Sequence, residues 1–373
     1  MGRDLQLTRF SVMSVAMLVW LGACAPTNQT NAPGDTLATE TDTVSIDEPS
    51  TGSGEERPVA PVGVASTIEP VKDEVIEVVV PFPESADDTE WDQVVLLGYG
   101  DEQGGLGAGP GHGPELPARG MDGSWWVPDT DRFRIVHFDS DGRFLDDFET
   151  AVTSSLFGLQ VTEGGVVMAS TSRPSLLYLE DSQVEYQDTG PTTFELVTTA
   201  GEVAYATPML GNSRYSVTPT GTGLEVARVE AFTSWSGQAY TVEMVARDTA
   251  EVWVADPGSQ GKPLTIRLVL EPNSGGSAFG IVEYETDVLG NIHLLFYGLS
   301  SKDENTQLSV YVRISPSGEV LSAPTPNPLG EFDSGSVGHL TIDPRTGVAF
   351  LATVTTDGIR IYQLDCATAC DPA

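Results

Sequence analysis

From Trp91 onward, short apolar runs alternate with turns rich in Gly, Pro, Asp and Ser, and no stretch has the apolar spacing of a long amphipathic helix. The pattern predicts an all-β domain. Its clearest unit has a turn at Asp122-Gly123, an apolar strand through Trp125, Trp126 and Val127, and a polar turn at Asp129-Thr130. A second strand, Arg134 to Phe138, turns at Asp141-Gly142 into Phe144 and Leu145. Five related units begin at Phe157, Phe194, Tyr240, Ile281 and His339; four of them turn at Gly164-Gly165, Gly201, Gly290-Asn291 and Gly347. Hairpin units of this kind expose sheet edges that radial stacking covers. Their turns recur roughly every 36 to 57 residues, the range of propeller blades with variable loops. Residues 91–365 are therefore expected to form a β-propeller of about six blades, with five or seven left open by the irregular stretch 193–272. A pair of β-sandwiches is the competing architecture. Ahead of this domain, segment 74–90 is extended: Glu74 to Val80 reads as a strand halted by Pro81 and Pro83, with no assigned place in the fold.

The stretch from Val94 to Phe148 resembles an NHL repeat, on Gly98-Tyr99-Gly100, Pro117, Asp122-Gly123, Val127, Asp129-Thr130, Arg134-Ile135 and Phe138. Later units keep the strand–turn–strand plan and lose the Asp-Thr and Arg-Ile signatures. The resemblance implies blades of four strands. It also implies that a strand near residues 94–97 is donated to the final blade and closes the ring.

The N-terminus changes the picture of where this domain works. A polar stretch with Arg3 and Arg9 leads into an apolar run from Phe10 to Leu21. That run is too short for a bilayer core, which takes roughly twenty apolar residues, and residues 1–23 read as a secretory signal peptide. Leu21-Gly22-Ala23-Cys24 resembles the lipobox of bacterial lipoproteins. By that resemblance cleavage falls between Ala23 and Cys24, and the Cys24 sulfur receives a diacylglyceryl group. Two or more acyl chains, palmitate among them, make such an anchor stable. Ala25 rather than Asp follows the cysteine, so the inner-membrane retention signal of Gram-negative lipoproteins is missing. The expected address is the cell envelope: the outer membrane where one exists, otherwise the outer face of the cell membrane. Residues 24–73 are Thr-, Ser-, Pro- and acid-rich, and no aromatic residue occurs between the signal and Phe82. They are expected to be a disordered tether whose ends lie about 40 Å apart on average.

Formal net charge is −36, from 18 basic and 54 acidic residues. A surface this acidic repels nucleic acid and anionic lipid, so nucleic-acid partners are excluded and membrane contact runs through the lipid alone. Acid excess with only three lysines fits either a saline setting or a well-solvated extracellular protein. Cys366 and Cys370 sit in the C-terminal tail, 366–373, as Cys-Ala-Thr-Ala-Cys. Outside the cytoplasm a disulfide between them is expected; free thiols are the alternative. Two thiols without a nearby His or a second Cys pair do not read as a metal site.

No catalytic constellation stands out. His112 lies in a Gly-rich loop with no helix after it; His137 and His293 alternate with apolar neighbours inside strands, and His339 opens one. Asp139 to Gly142 resembles the start of a calcium loop but lacks its later carboxylates, and reads as a β-turn. A propeller resembling the gluconolactonase family would hold a divalent metal in its tunnel with Glu, Asn and Asp ligands. Here Asn291 falls in a turn, Asn212, Asn273, Asn305 and Asn327 fall in loops, and Asp287 and Asp343 fit turn caps. No catalytic or metal residue is assigned, and no cofactor beyond the lipid. Trp125 and Trp126, adjacent on a strand, must face opposite sides, and one of them exposed would suit protein or glycan contact. The leading expectation is a non-catalytic, lipid-anchored platform for a protein, peptide or glycan. The alternative is a metal-dependent lactonase or hydrolase in the tunnel, with calcium as the candidate ion. A third reading is a role in envelope assembly, similar in plan to the larger, eight-bladed, lipid-anchored propeller of outer-membrane protein assembly.

Overall fold

The central strands of the repeated units are apolar at consecutive positions, as in Val166-Val167-Met168-Ala169 and Leu176-Leu177. Consecutive apolar residues mark strands buried on both faces. The structure, a computed structural model, describes residues 75–82 and 91–364, apart from 108–114, 116, 151–155, 171–173, 181–182, 209–212, 221–222, 247–248, 256–263, 273–276, 300–306, 320, 322–324 and 327–338. Strands β1 (Val75–Phe82) and β2 (Trp91–Gly98) come first. Blade 1 is β3 (Ala118–Arg119), β4 (Trp125–Asp129), β5 (Arg134–Phe138) and β6 (Phe144–Glu149). Blade 2 is β7 (Leu156–Thr162), β8 (Gly165–Ser170), β9 (Ser175–Glu180) and β10 (Gln183–Asp188). Blade 3 is β11 (Phe194–Ala200), β12 (Val203–Pro208), β13 (Arg214–Thr220) and β14 (Gly223–Val229). Blade 4 is β15 (Phe232–Thr233), β16 (Ala239–Ala246), β17 (Thr249–Ala255) and β18 (Leu264–Pro272). Blade 5 is β19 (Ser277–Thr286), β20 (Ile292–Leu299), β21 (Gln307–Ile314) and β22 (Thr325–Pro326). Blade 6 is β23 (His339–Ile342), β24 (Ala349–Thr355) and β25 (Gly358–Leu364), completed by β2.

Within each blade the strands pair antiparallel in chain order from an inner to an outer edge, except where β2 adds to β25 and β1 to β18. The inner strands meet around an axis: β3 touches β7, β7 touches β11, β11 touches β19, β19 touches β23, and β23 returns to β3. The protein is a six-bladed β-propeller, as the turn spacing predicts. Ring closure also follows the expectation. β2 pairs antiparallel with β25 from Trp91↔Leu364 to Gly98↔Gly358, a longer strand than residues 94–97. The chains approach so closely at the end of this seam that a Cβ on Gly358 would lie 2.1 Å from the Leu97 carbonyl oxygen. The irregular stretch 193–272 resolves into two blades, and the inner strand of the second, β15, is only two residues long. That brevity explains why the sequence pattern there starts at Tyr240.

β1 differs from expectation in two ways. It runs through Pro81 to Phe82, and it has a place: it pairs parallel with β18 as a fifth strand of blade 4. Pro81 does not stop it because β1 is an edge strand, where a missing N–H can face away from the sheet.

Between adjacent blades the two-sided burial becomes a series of apolar seams. Val166 and Met168 join Ala118 and Ile135 between blades 1 and 2. Their neighbours Val167 and Ala169 join Phe194 and Leu196 between blades 2 and 3. Val252, Ile266, Leu294 and Val312 share a core that runs through blades 3, 4 and 5. Trp91 closes the seam of blades 5 and 6, its ring edge-on to Tyr311 at 5.8 Å. Trp125, fully buried, fills the seam of blades 6 and 1 against Phe350, with ring centroids 5.2 Å apart.

One seam also carries a polar staple. At the end of β19, Asp287 Oδ1 accepts the Leu289 and Asn291 N–H groups at 2.9 and 3.0 Å, capping a turn whose Gly290 has φ 79°. Its Oδ2 accepts Asn291 Nδ2 at 2.8 Å and meets His293 Nε2 at 3.2 Å and Arg313 Nη2 at 3.4 Å. His293 Nδ1 in turn lies 2.8 Å from Tyr311 Oη. The Val288 N–H donates to the Pro344 carbonyl of blade 6 at 2.8 Å, so this turn is tied to the next blade. Burial works against an ionised Asp287, but His293 and Asn291 outweigh it and hold the carboxyl below its ordinary range.

Two outcomes follow, both read by chemical denaturation. Trp91→Ala should destabilise the domain by about 3–5 kcal/mol, because it leaves a large cavity in the closing seam. Asp287→Ala should lose about 1–3 kcal/mol by removing the buried acceptor of the Leu289 and Asn291 N–H groups, whereas Asp287→Asn, which keeps the turn-capping oxygen, should lose less.

Candidate functional site

Each blade ends at its outer strand and the chain enters the next blade at the inner one, so the inner strands run in one sense along the axis. Residue order within them is therefore order along the channel. Glu195 lies near the start of β11 and His339 opens β23, while Glu283 stands three residues before the end of β19. Glu285 and Thr341 lie two residues beyond Glu283 and His339, and Arg119 and Thr286, the last residues of β3 and β19, lie at the far end.

Glu283 Oε1 lies 2.5 Å from His339 Nδ1, and Glu283 Oε2 accepts the Leu340 N–H, joining blades 5 and 6. Glu283 and Glu285 are two apart on one strand and so share a side of the sheet. Glu285 Oε2 accepts from Thr198 Oγ1 at 3.0 Å, and its Oε1 lies 3.5 Å from Gln160 Nε2. Tyr240 Oη donates to Thr198 Oγ1 at 3.3 Å. One polar chain thus crosses from blade 4 through blades 3 and 5 to blade 2. All of it except Glu283 and His339 is closed off from solvent.

Burial is what sets the electrostatics. It pushes the Glu285 carboxyl up to about 8, against the Thr198 bond and the His339 charge that favour ionisation. It pushes Glu195 up to about 7, helped by the charge on Glu283. On His339 burial favours the neutral ring, yet the Glu283 charge and bond, with Glu285 beyond, outweigh it and raise the imidazole above its ordinary value. At the far end burial lowers the Arg119 guanidinium to about 10. Its Cζ sits 4.1 Å over the Trp125 ring and 4.7 Å over that of Phe350.

All six blades line the axial cavity at this level, through Arg119, Gln160, Thr199, Trp235, Glu285 and Thr341 among others. Its volume is about 10 Å³, the lower limit for a single water. An organic substrate does not fit there. Among the described residues no group of three or more His, Cys, Asp or Glu is placed to hold a metal ion.

The residues singled out in the sequence distribute as follows. Asp343 caps a turn, its Oδ1 accepting the Arg345 and Thr346 N–H groups at 3.0 and 3.3 Å, and Asp287 does the same. Asp139 caps the turn to Gly142, with Oδ1 accepting the Asp141 and Arg143 N–H groups at 2.9 and 2.8 Å. Asp129 and Arg134 pair at 3.0 Å and bind the incoming loop through the Gly107 N–H and the Gly105 carbonyl. That explains why the Asp-Thr and Arg-Ile signatures occur in this unit, the one that receives the long connection from β2. Trp126 is not presented on a face: it stacks on His137 at 3.9 Å and joins the seam of blades 1 and 2. Ala23, Cys24, His112, Asn212, Asn273, Asn305, Asn327, Cys366 and Cys370 lie outside the described residues. Glu195, Glu283, Glu285 and Arg119 escaped the sequence reading. The available signal was a pair of glutamates two apart, Glu283 and Glu285, within the apolar run that begins at Ile281.

Fold and axis define a class: a six-bladed β-propeller whose inner strands are joined by polar side chains. Residues 89–364 match the sequence profile of a domain of unknown function, DUF7485, and the chain belongs to that family. No curated protein matches it in sequence. Among solved structures, virginiamycin B lyase from Staphylococcus aureus is similar at 12% identity and a TM-score of 0.40, over 69% of this chain and 96% of that one. The calcium-binding protein regucalcin from Agrobacterium tumefaciens has 12% identity and a TM-score of 0.37, over 79% and 99%. The PQQ-bound aldose sugar dehydrogenase from Streptomyces coelicolor has 12% identity and a TM-score of 0.43, over 76% and 98%. At these values the likenesses carry nothing about chemistry.

The Glu285 shift has a consequence for stability. Its folded pKa, about 8, exceeds the ordinary 4.5, so the folded state keeps a proton that the unfolded state releases. Stability from this group is full below about 4.5 and is lost as pH rises toward 8. Thermal melting between pH 5 and 8 should show this decline in the native chain and a flatter profile in Glu285→Gln, which is neutral throughout. Equal slopes would contradict the assignment.

Proposed function

We propose that this chain is a lipid-anchored, extracytoplasmic propeller that presents a face to a protein or peptide and performs no chemistry of its own. The observation that supports this reading is the axis: where six blades converge, the cavity lined by Arg119, Gln160, Glu285 and Thr341 has a volume of about 10 Å³, too little for an organic substrate. Recognition then falls to the faces, where turns and connections vary without disturbing the seams. The Trp126 ring is already stacked on His137 and Phe148, which favours a protein or peptide over a glycan, since stacking on sugar needs a free ring face. With a net charge of −36, a partner surface that is basic or neutral is favoured.

In this reading Cys24 carries the lipid, residues 24–73 supply reach, and a Cys366–Cys370 disulfide ties off the C-terminus. Cys24→Ser should abolish palmitate labelling and move the protein out of the membrane fraction; unchanged fractionation would refute the anchor. Crosslinking on intact cells should then yield a discrete adduct with the native chain. Robust turnover of lactones or esters by the purified protein, lost in Glu285→Gln, would replace the platform with the tunnel enzyme.

A further inference from the structure

The far end of the axis contains polar groups that the blade-to-blade network does not use. Arg119 Nε and Nη1 are buried and make no hydrogen bond with any described residue, and the same holds for Thr286 Oγ1. Thr286 is 1% exposed. Both residues line the axial cavity, together with Gln160 and Glu285. The Glu285 oxygens are already engaged by Thr198 and Gln160. Asp122 and Asp343 act on the guanidinium, but their Oδ1 atoms serve turn N–H groups of Ser124 and of Arg345 and Thr346. Two guanidinium donors and a hydroxyl without hydrogen-bond partners therefore belong to residues that line a space the size of one small atom.

A buried cation is stable when it is paired, and an unpaired donor in a closed site carries the full penalty of lost hydration. A carboxylate or phosphate has too many atoms for this volume. Water would satisfy hydrogen bonds but bring no charge to the guanidinium, which Asp343 and Asp122 offset in part without outweighing burial. We infer that the axial cavity binds a single halide anion, chloride in ordinary buffers, held by Arg119 Nε and Nη1 and by the Thr286 hydroxyl. Protonated Glu285 across the cavity does not oppose it, because that carboxyl is neutral over most of the range below about 8.

Melting the full-length protein at constant ionic strength in sodium gluconate, sodium chloride and sodium bromide tests the site. Saturable stabilisation by either halide, about 2–4 °C in Tm, is expected. Arg119→Gln should remove this increment and Thr286→Val should shrink it. No difference between gluconate and halide would mean an ordered water only, and overturns the proposal. A halide increment that persists in Arg119→Gln would mark unspecific salt action and overturns it equally. If Arg119→Gln does not fold, Thr286→Val decides: an undiminished response there also ends the proposal.

Discussion

The pairing of β2 with β25 is what turns six open sheets into a ring. A lone meander of this kind has two unpaired edges and two apolar faces, and neither is stable in water. Stacking blades covers the faces, but a linear stack would still leave its first and last blades bare. Taking the outer strand of blade 6 from the start of the domain removes that problem, because blades 6 and 1 cannot separate without breaking the ladder from Trp91 to Gly98. Trp91 and Trp125 occupy the two seams that flank blade 6. The largest apolar side chains thus stand where closure is decided, and each contributes at the upper end of the 1.5–3 kcal/mol expected for a buried large side chain, roughly.

Blade number was legible because it leaves a periodic trace, whereas ring closure was an implication of the resemblance to an NHL repeat. Strand length and apolar content repeat, and glycine punctuates the turns: Gly123, Gly201, Gly237, Gly290 and Gly347 all adopt positive φ between an inner strand and its neighbour. β1 was legible as a strand but not as part of a blade, since parallel pairing on an outer edge is set by contacts to Leu264–Pro272 that no local pattern encodes. β15 left almost no trace because two residues cannot establish a period. The axis was illegible for a different reason. Gln160, Thr198, Glu285 and His339 come from four strands separated by scores of residues, and only the ring brings them together.

What the ring brings together is chemically restrained. Glutamates at the centre of a domain are tolerated if they stay protonated or are bonded, and both devices are used: Glu285 is pushed toward neutrality while Glu283 is held by His339 and the Leu340 N–H. A set of apolar side chains at these positions would give equal or greater stability. Polar residues do something else here. Each hydrogen bond has one satisfactory partner, so Tyr240–Thr198–Glu285–Gln160 specifies which blades meet and in what register, where apolar contacts tolerate sliding.

A filled, specific axis constrains where function can be. In an open channel, inner-strand side chains serve structure and substrate together, and a change for one disturbs the other. Here the inner strands are committed to each other, and Asp287 and Asp343 are committed to turns. Among the described residues lining the axial cavity, Arg119 and Thr286 carry buried polar atoms with no hydrogen-bond partner. Their small enclosed space suits an ion that completes the core rather than a metabolite that comes and goes. On the proposed reading, selectivity for a partner is built from the connections and outer edges, the parts of a propeller whose sequence the seams leave free.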